Sequence, residues 1–343
     1  MKEISNSWLC GRTTERSGKP LPVPRLVRNC SVARTLDILS DAWSFLVLRE
    51  FYMGARRFDQ IQMVLGVPRS TLSDRLAKLS EAQIVRRAPR KGGQFEYHLT
   101  DRGLDLYLVM LALMRFGDDH LAGKAPLPLR LHHRRCGHVF RPETVCSECR
   151  EPITARQVCY HDGPGAGLSP APDIPQRRRS SKGSNFERNR PSSVSRTVAI
   201  LADRWSFLIL RECLFGISRY DQFRERLGIA PNILADRLSR LIATDILKRL
   251  EYQNNPPRFE YRLTSTGLDL YLPLIQMLRW GDRWLGHGPP LILTHKQCGK
   301  TFYPLLVCSH CREPIDARDV RYVLSYSPLA GSLSPAQIEP DSN

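Results

Sequence analysis

"DAWSFLVLREFYMG" (residues 41–54) and "DRWSFLILRECLFG" (residues 203–216) are one stretch written twice, 162 positions apart, with nine of fourteen residues identical. Each is apolar nearly all round and stops at a glycine, Gly54 or Gly216, which predicts a helix at the centre of a fold rather than on its surface. The echo continues outward. "QFEYHLTDRGLDLYL" (94–108) returns as "RFEYRLTSTGLDLYL" (258–272), and "VCSECREPI" (145–153) as "VCSHCREPI" (307–315). The offset is 162 at the ends and 164 in the middle, with two residues gained around "QNNPPR" and lost before Cys298. Shared order at so long a period means a duplicated globular unit of about 130 residues, not a solenoid.

Around the central helix the patterns are legible. "SVARTLDILSDAW" sets Val32, Leu36 and Leu39 at helical spacing, and "RRFDQIQMVLG" reads as a short amphipathic helix ending at Gly66. "VPRSTLSDRLAKLSEAQIV" opens on a proline and small hydroxylated residues that favour a helix start, with Leu72, Leu76 and Leu79 as its buried stripe. A short helix, a tight glycine turn and a second helix with a polar front describe a helix-turn-helix. Two strand-like pieces follow, "IVRRAPR" and "QFEYHLT" around "KGG", and in the second copy "ILKRLEY" and "RFEYRLT" around "QNNPP". A hairpin directly after a helix-turn-helix is a wing. The next helices, "GLDLYLVMLALMRFGDDHL" and "GLDLYLPLIQMLRWGDRWL", are apolar on more than one face, which suits dimerisation better than burial in one core. The expected fold class is mainly α with small β-wings (α+β): two tandem winged helix-turn-helix domains, each followed by a dimerisation helix and a small zinc-ribbon-like extension.

The stretches "VARTLDILSDAWSFLVLRE", "RRFDQIQ…LGVPRSTLSDRLAKL" and "FEYHLTDRGLDL", with "DRWSFLILRE", "APNILADRL" and "PPRFEYRLT" in the second copy, resemble the HxlR-type winged helix-turn-helix transcriptional regulators over about 95 residues of each copy. The resemblance implies a small homodimeric bacterial DNA-binding regulator. The chain departs from that pattern by carrying two copies and a Cys-rich extension on each. Cys30 stands where such proteins often carry a cysteine that senses oxidants or electrophiles, so the resemblance implies a redox-sensor role for it. Ser192 occupies that place in copy two, so at most one half would sense, and the residue's own reading favours an inert thiol.

In a helix-turn-helix the front of the second helix enters the major groove while basic neighbours hold phosphate. That places Arg69, Ser70, Thr71 and Ser73 toward bases in copy one, with Arg75 and Lys78 further along. The copy-two equivalents are Pro231, Asn232, Ile233 and Ala235, then Arg237 and Arg240. Wing candidates are Arg86, Arg87, Arg90 and Lys91, and Lys248, Arg249 and Arg258. Arg56, Arg57 and Arg219 precede the short helix, where the DNA backbone passes. "RST" and "NI" differ chemically, since Arg favours guanine and Asn adenine, so the expected half-sites are unequal. Fusing two units makes their pairing intramolecular and frees the readers to diverge. Two tandem chains pairing into a four-headed homodimer is the alternative assembly.

The extensions read "HHRRCGHVFRPETVCSECREPI" and "THKQCGKTFYPLLVCSHCREPI". Three cysteines recur in each: Cys136, Cys146 and Cys149, and Cys298, Cys308 and Cys311. His133 and His295 recur three residues before the first cysteine. His132, His138 and His310 do not recur and are poorer candidates. The shared spacing H-x2-C-x9-C-x2-C predicts one Cys3His zinc site per copy, up to two structural Zn2+ in all, closed by four protein donors. Three reduced thiols, or a regulatory disulfide, is the alternative. Cys10, Cys159 and Cys213 read as ordinary.

The bulk properties agree. A chain of 343 residues suits two domains, and 42% hydrophobic content can build real cores. The net charge of +17 draws polyanions, double-stranded DNA first. No segment has the eighteen or so apolar residues of a membrane span, and "MKEISNSWLCGRTTERSGKP" lacks a secretory apolar core, so a cytoplasmic protein with no membrane partner is expected. No Gly-rich phosphate loop or nucleophile–base constellation argues for an enzyme. The competing reading is a winged-helix adaptor, or a non-specific nucleic-acid binder without operator reading. The boundaries read from sequence are a tail (1–25), winged domain one (26–124), extension one (125–162), a flexible basic linker (163–191) whose run Arg177–Arg179 reads as solvated, winged domain two (192–286), extension two (287–326) and a C-terminal tail (327–343).

Overall fold

The computed structural model describes residues 26–39, 41–90, 94–124, 126–170, 190–201, 203–286 and 288–326. Lys91, Cys10, the two tails and the linker core with Arg177–Arg179 lie outside the described residues. Copy one runs β1 (Leu26–Arg28), α1 (Ser31–Ile38), α2 (Ala42–Tyr52), α3 (Phe58–Leu65), α4 (Arg69–Glu81), β2 (Val85–Pro89), β3 (Phe95–Leu99), α5 (Asp101–Asp105) and α6 (Tyr107–His120). Its extension adds β4 (Leu129–His133), β5 (Val139–Phe140), β6 (Pro142–Cys146), β7 (Val158–Asp162) and β8 (Leu168–Pro170). Copy two runs α7 (Ser193–Leu201), α8 (Arg204–Leu214), α9 (Tyr220–Leu227), α10 (Pro231–Ala243), β9 (Leu247–Asn254), β10 (Pro257–Leu263), α11 (Ser265–Asp269) and α12 (Tyr271–Trp284). Its extension holds β11 (Leu291–His295), β12 (Thr301–Phe302), β13 (Pro304–Cys308) and β14 (Val320–Leu324).

The quoted repeats are the central helices α2 and α8. Each begins at an aspartate that caps it: Asp41 Oδ1 accepts from Ser44 N at 3.1 Å, and Asp203 Oδ1 from Trp205 N at 3.1 Å and Ser206 N at 3.2 Å. Between the helices of each helix-turn-helix, Gly66 and Gly228 close α3 and α9 with φ of 60° and 61°, a left-handed turn that a side chain would strain. Leu72, Leu76 and Leu79 bury the inner face of α4, as Leu234, Leu238 and Leu241 do for α10. The hairpins β2–β3 and β9–β10 form the wings, and each is tied at its root to the chain before the short helix, Tyr97 N to Arg56 O at 2.8 Å and Tyr261 N to Ser218 O at 2.7 Å.

The two copies grip each other within one chain. Helix α6 packs on α7, α12 packs on α1, and α6 meets α12, so each long helix serves its own winged unit and the other's. Thr35 Oγ1 donates to Met277 O at 3.1 Å and Thr197 Oγ1 to Leu113 O at 2.9 Å, the same bond made twice about a pseudo-twofold. On that axis Asp41 and Asp203 pair as an antiparallel bridge and Phe45 stacks on Phe207 with centroids 5.8 Å apart.

The extensions depart from the expectation of one separate ribbon per copy. Strand β7 of copy one pairs with β11 of copy two, β14 of copy two pairs with β4 of copy one, and β6 pairs antiparallel with β13. The start of the expected flexible linker is also ordered, since β8 pairs with β1. Among the described residues no helix is long and apolar enough to cross a membrane.

Candidate nucleic-acid interface and metal centres

The fronts of α4 and α10 face outward at Arg69, Ser70, Ser73 and Lys78, and at Pro231, Asn232 and Ala235, with Thr71 half-buried. The Arg69 guanidinium lies 4.9 Å over the Phe58 ring and donates to Gln62 Oε1 at 3.2 Å, so the cation is held at the front of α4 while the residue stays exposed. The wings expose Arg86, Arg87 and Arg90, and Lys248, Arg249 and Arg258. Here too aromatic rings prop the cations: Arg87 stands 3.4 Å from the Phe95 centroid, Arg249 4.3 Å from that of Phe259, and Arg219 4.7 Å from that of Tyr252. Sequence reasoning missed these props, although an aromatic at the matching place in each wing is visible in "QFEY" and "RFEY". Arg56 is turned inward and donates to the carbonyls of Phe51 and Ala55, while Arg57 pairs with Asp59 at 3.0 Å and Arg240 with Asp236 at 3.0 Å.

Three expected groove residues are corrected. Ile233 is buried. Arg237 is only 2% exposed, held by Asp203 (Nε to Oδ2 2.7 Å) and by Asp236. Arg75 donates from Nε at 3.0 Å and from its terminal nitrogen at 2.5 Å to Asp41. Burial opposes the charge of both guanidinium groups, but Asp41 and Asp203 raise them above their ordinary values. These arginines lock the second helix of each helix-turn-helix to the N-terminus of the central helix. A signal for this was present: both members of each Asp–Arg pair recur at the 162-residue offset, while the residues at the helix front diverge.

The metal-ligand candidates are all drawn together, but not as the spacing implied. Each cluster takes H-x2-C from one copy and C-x2-C from the other: His133 and Cys136 with Cys308 and Cys311, and His295 and Cys298 with Cys146 and Cys149. The expected within-copy quartets are therefore wrong. The nine residues between the first and second cysteine are spent on β5 and β6, and a five-residue strand spans about 17 Å, too far to return to its own histidine. The β6–β13 pairing delivers each knuckle to the other copy's hairpin.

In each cluster the donor atoms lie within 4.8 Å of one another. Cys136 Sγ and Cys311 Sγ sit 3.5 Å and 3.3 Å from His133 Nδ1, and Cys136 Sγ is 4.0 Å from Cys308 Sγ. In the second cluster Cys298 and Cys149 are 3.7 Å and 3.2 Å from His295 Nδ1, and Cys146 is 4.0 Å from Cys298. Tetrahedral zinc with bonds of about 2.0–2.3 Å requires donor separations of roughly 3.5–3.8 Å, so the residues fit such an ion. Both histidines are fully buried. The backbone N–H of His138 holds the Cys136 thiol down to about 6, and that of Lys300 lowers Cys298, while burial raises Cys146 and Cys308. Four thiol-rich donors of this kind can hold a metal ion, releasing protons as they do so. His138 and His310 stack at 3.6 Å beside the first cluster, outside both quartets. Cys30 is buried beside Arg211.

Comparison with known proteins follows the repeat. A family model described as HxlR-like helix-turn-helix matches residues 38–125 and again 200–289. An uncharacterized HTH-type transcriptional regulator of Mycobacterium bovis and one of Mycobacterium tuberculosis are each 42% identical over 130 residues, covering 37% of this chain and 82% of the relative. Another, from Synechocystis, is 37% identical over 101 residues, covering 29% and 75%. These are names of regulators, not of enzymes. With both winged units matched in order, the chain belongs to the HxlR-like helix-turn-helix family of transcriptional regulators, and carries the family's domain twice.

Proposed function

We propose that this protein is a sequence-specific DNA-binding regulator whose two fused winged units read adjacent, unequal half-sites as an intramolecular pseudo-dimer. The observation that carries the reading is the exposed front of each second helix, Arg69 with Ser70 and Ser73 against Asn232, each flanked by a wing of propped arginines. Paired units of this kind meet half-sites about one helical turn, roughly 34 Å, apart. Arg69 is suited to guanine and Asn232 to adenine. Thr71, Ser73, Lys78 and Arg240 border those readers; Lys248, Arg249, Arg258, Arg86, Arg87, Arg90 and Lys91 serve phosphate from the wings, with Arg57 and Arg219 beside the short helices. In the same reading the two Cys3His quartets hold structural zinc. A zinc ion with four protein donors has no open position, so it would contribute a cross-link between the copies and no chemistry.

The test is selection of bound duplexes from a random library by zinc-loaded full-length protein at about 150 mM salt. A bipartite motif with dissimilar halves is expected, and Arg69→Ala and Asn232→Ala should each relax one half only, at a cost of about 1–3 kcal/mol. If nothing enriches and binding vanishes steeply with salt, the attraction is to phosphate alone and the adaptor reading replaces this one.

A further inference from the structure

A cleft of about 620 Å3 opens between the N-terminal segment of copy one and helices α8 and α9 of copy two. This is the size of a small-molecule site. Trp205, Leu208 and Phe215 form an apolar wall, and the guanidinium groups of Arg28, Arg204, Arg211 and Arg226 outnumber the carboxylates of Glu212 and Glu225. Arg28 is engaged by Asp162 at 2.5 Å, Arg204 by Asp37 at 2.6 Å and Arg211 by Glu212. Among the described residues Arg226 has no carboxylate partner.

The other half of the molecule carries the same framework differently furnished. Trp43, Arg49 and Glu50 match Trp205, Arg211 and Glu212, but Ala42, Val64 and Met63 stand where copy two has Arg204, Arg226 and Glu225. In that half the buried Arg190 donates to Glu50 at 2.9 Å, and Arg49 donates to Ser195 Oγ at 2.5 Å, so the carboxylate and its arginine are covered from the neighbouring segment. The counterpart of Arg190 is Arg28, which pairs with Asp162 of β7 with its guanidinium 5.4 Å from the Phe215 ring centroid at the edge of the cleft, and the counterpart of Ser195 is Ala33, which has no hydroxyl to fill the space. Duplication has thus left the arginine and carboxylate of one half covered, and has lined the other with added cations and with Phe215, which stands where copy one has Met53, beside the retained tryptophan.

We propose that this cleft binds a small amphipathic organic anion, its flat apolar body against Trp205 and Phe215 and its carboxylate or sulfonate on Arg226. The pairing follows from the lining: an apolar face buries a ring, and a charged hydrogen bond from a guanidinium orients the anion. Binding there does not depend on whether the chain reads DNA.

The experiment is calorimetric titration of the zinc-loaded full-length chain with 2-naphthoate, alongside its uncharged analogue 2-naphthol, while Trp fluorescence is followed. One equivalent per chain is expected, with quenching of Trp205 and weaker binding of the naphthol. Arg226→Ala, at an exposed position, should weaken naphthoate by about tenfold. Ala33→Phe, which fills the cleft, should abolish binding, whereas Val64→Ala on the opposite half should leave it unchanged. No heat at millimolar probe, or several weak sites indifferent to Arg226→Ala and Ala33→Phe (adventitious adsorption only), would overturn the proposal.

Discussion

Asp41 and Asp203 each do three things with one carboxylate-bearing residue. Their side chains cap the central helices, their second oxygens hold Arg75 and Arg237, and their backbones pair with each other on the pseudo-twofold. Each arginine also balances the charge of the carboxylate that caps its central helix. Asp282 shows the opposite balance. It accepts from Ser31 Oγ at 2.5 Å, but burial outweighs that bond and the nearby Arg34 and pushes its carboxyl from 3.8 up to about 6. A carboxyl whose folded value lies above its unfolded one keeps its proton more tightly when folded. Its stabilising contribution is complete below about pH 4 and is lost as the pH rises through 6. Asp282→Asn should remove that loss, so the Tm of the variant relative to the unsubstituted protein should climb between pH 4 and 6.5. A Tm difference independent of pH would refute this. Asp118, the matching residue of copy one, is raised for the same reason and faces Ser193.

At the scale of elements, the long helices are shaped by what they must approach. Gly117 of α6 and Gly281 of α12 sit where the N-terminal helix of the other copy arrives: a Cβ on Gly117 would lie 2.3 Å from Ser193 O, and one on Gly281 2.7 Å from Ser31 O. Neither oxygen belongs to a movable side chain, so the helices would have to part. Gly117→Ala is expected to lower stability by about 1–3 kcal/mol through overpacking, seen as a lower denaturant midpoint, and Gly281→Ala by less. A neutral Gly117→Ala would mean that this crossing is looser than described. The indole groups add a difference between the copies: Trp280 donates to Arg102 O at 2.9 Å and Trp284 to Asp105 at 2.8 Å, whereas copy one has Phe116 and His120 there, and only the histidine, 2.8 Å from Asp269, finds a polar partner.

For the whole molecule, the exchange of cysteine knuckles makes the two extensions a single clasp, since neither Cys3His cluster can be completed by one copy. Zinc content separates this from two independent ribbons. Cys136→Ser with Cys311→Ser damages one shared site and should leave one tightly held zinc, whereas Cys136→Ser with Cys149→Ser damages both and should leave none. Ribbons closed within each copy require the reverse. Because the partner copy is tethered, the clasp closes at an effective concentration set by the chain rather than by the solution.

Much of this was open to reading in the sequence. The duplication, the helix-turn-helix, the wings and the eight metal-ligand candidates all rest on local periodicity and recurrence, which a linear text records directly. Exposed Arg69 and the wing cations belong to the same class, because alternation and helical phase tell which side chains leave the core. What the text could not carry were choices between equivalent copies. His133 sees two C-x2-C knuckles of the same spacing, and sequence distance prefers the near one, but the β6–β13 pairing carries that knuckle away and supplies the other. Arg75 and Arg237 look like groove contacts until α2 and α8 bring Asp41 and Asp203 beneath them. Arg28 and Arg190 have the same place in the repeat and opposite fates, one drawn to Asp162 and one buried on Glu50. Local pattern follows from side-chain chemistry along the chain and is therefore written in the sequence. The partner of a ligand, a charge or a cavity depends on which distant segment arrives, and that was decided by packing the two copies against each other.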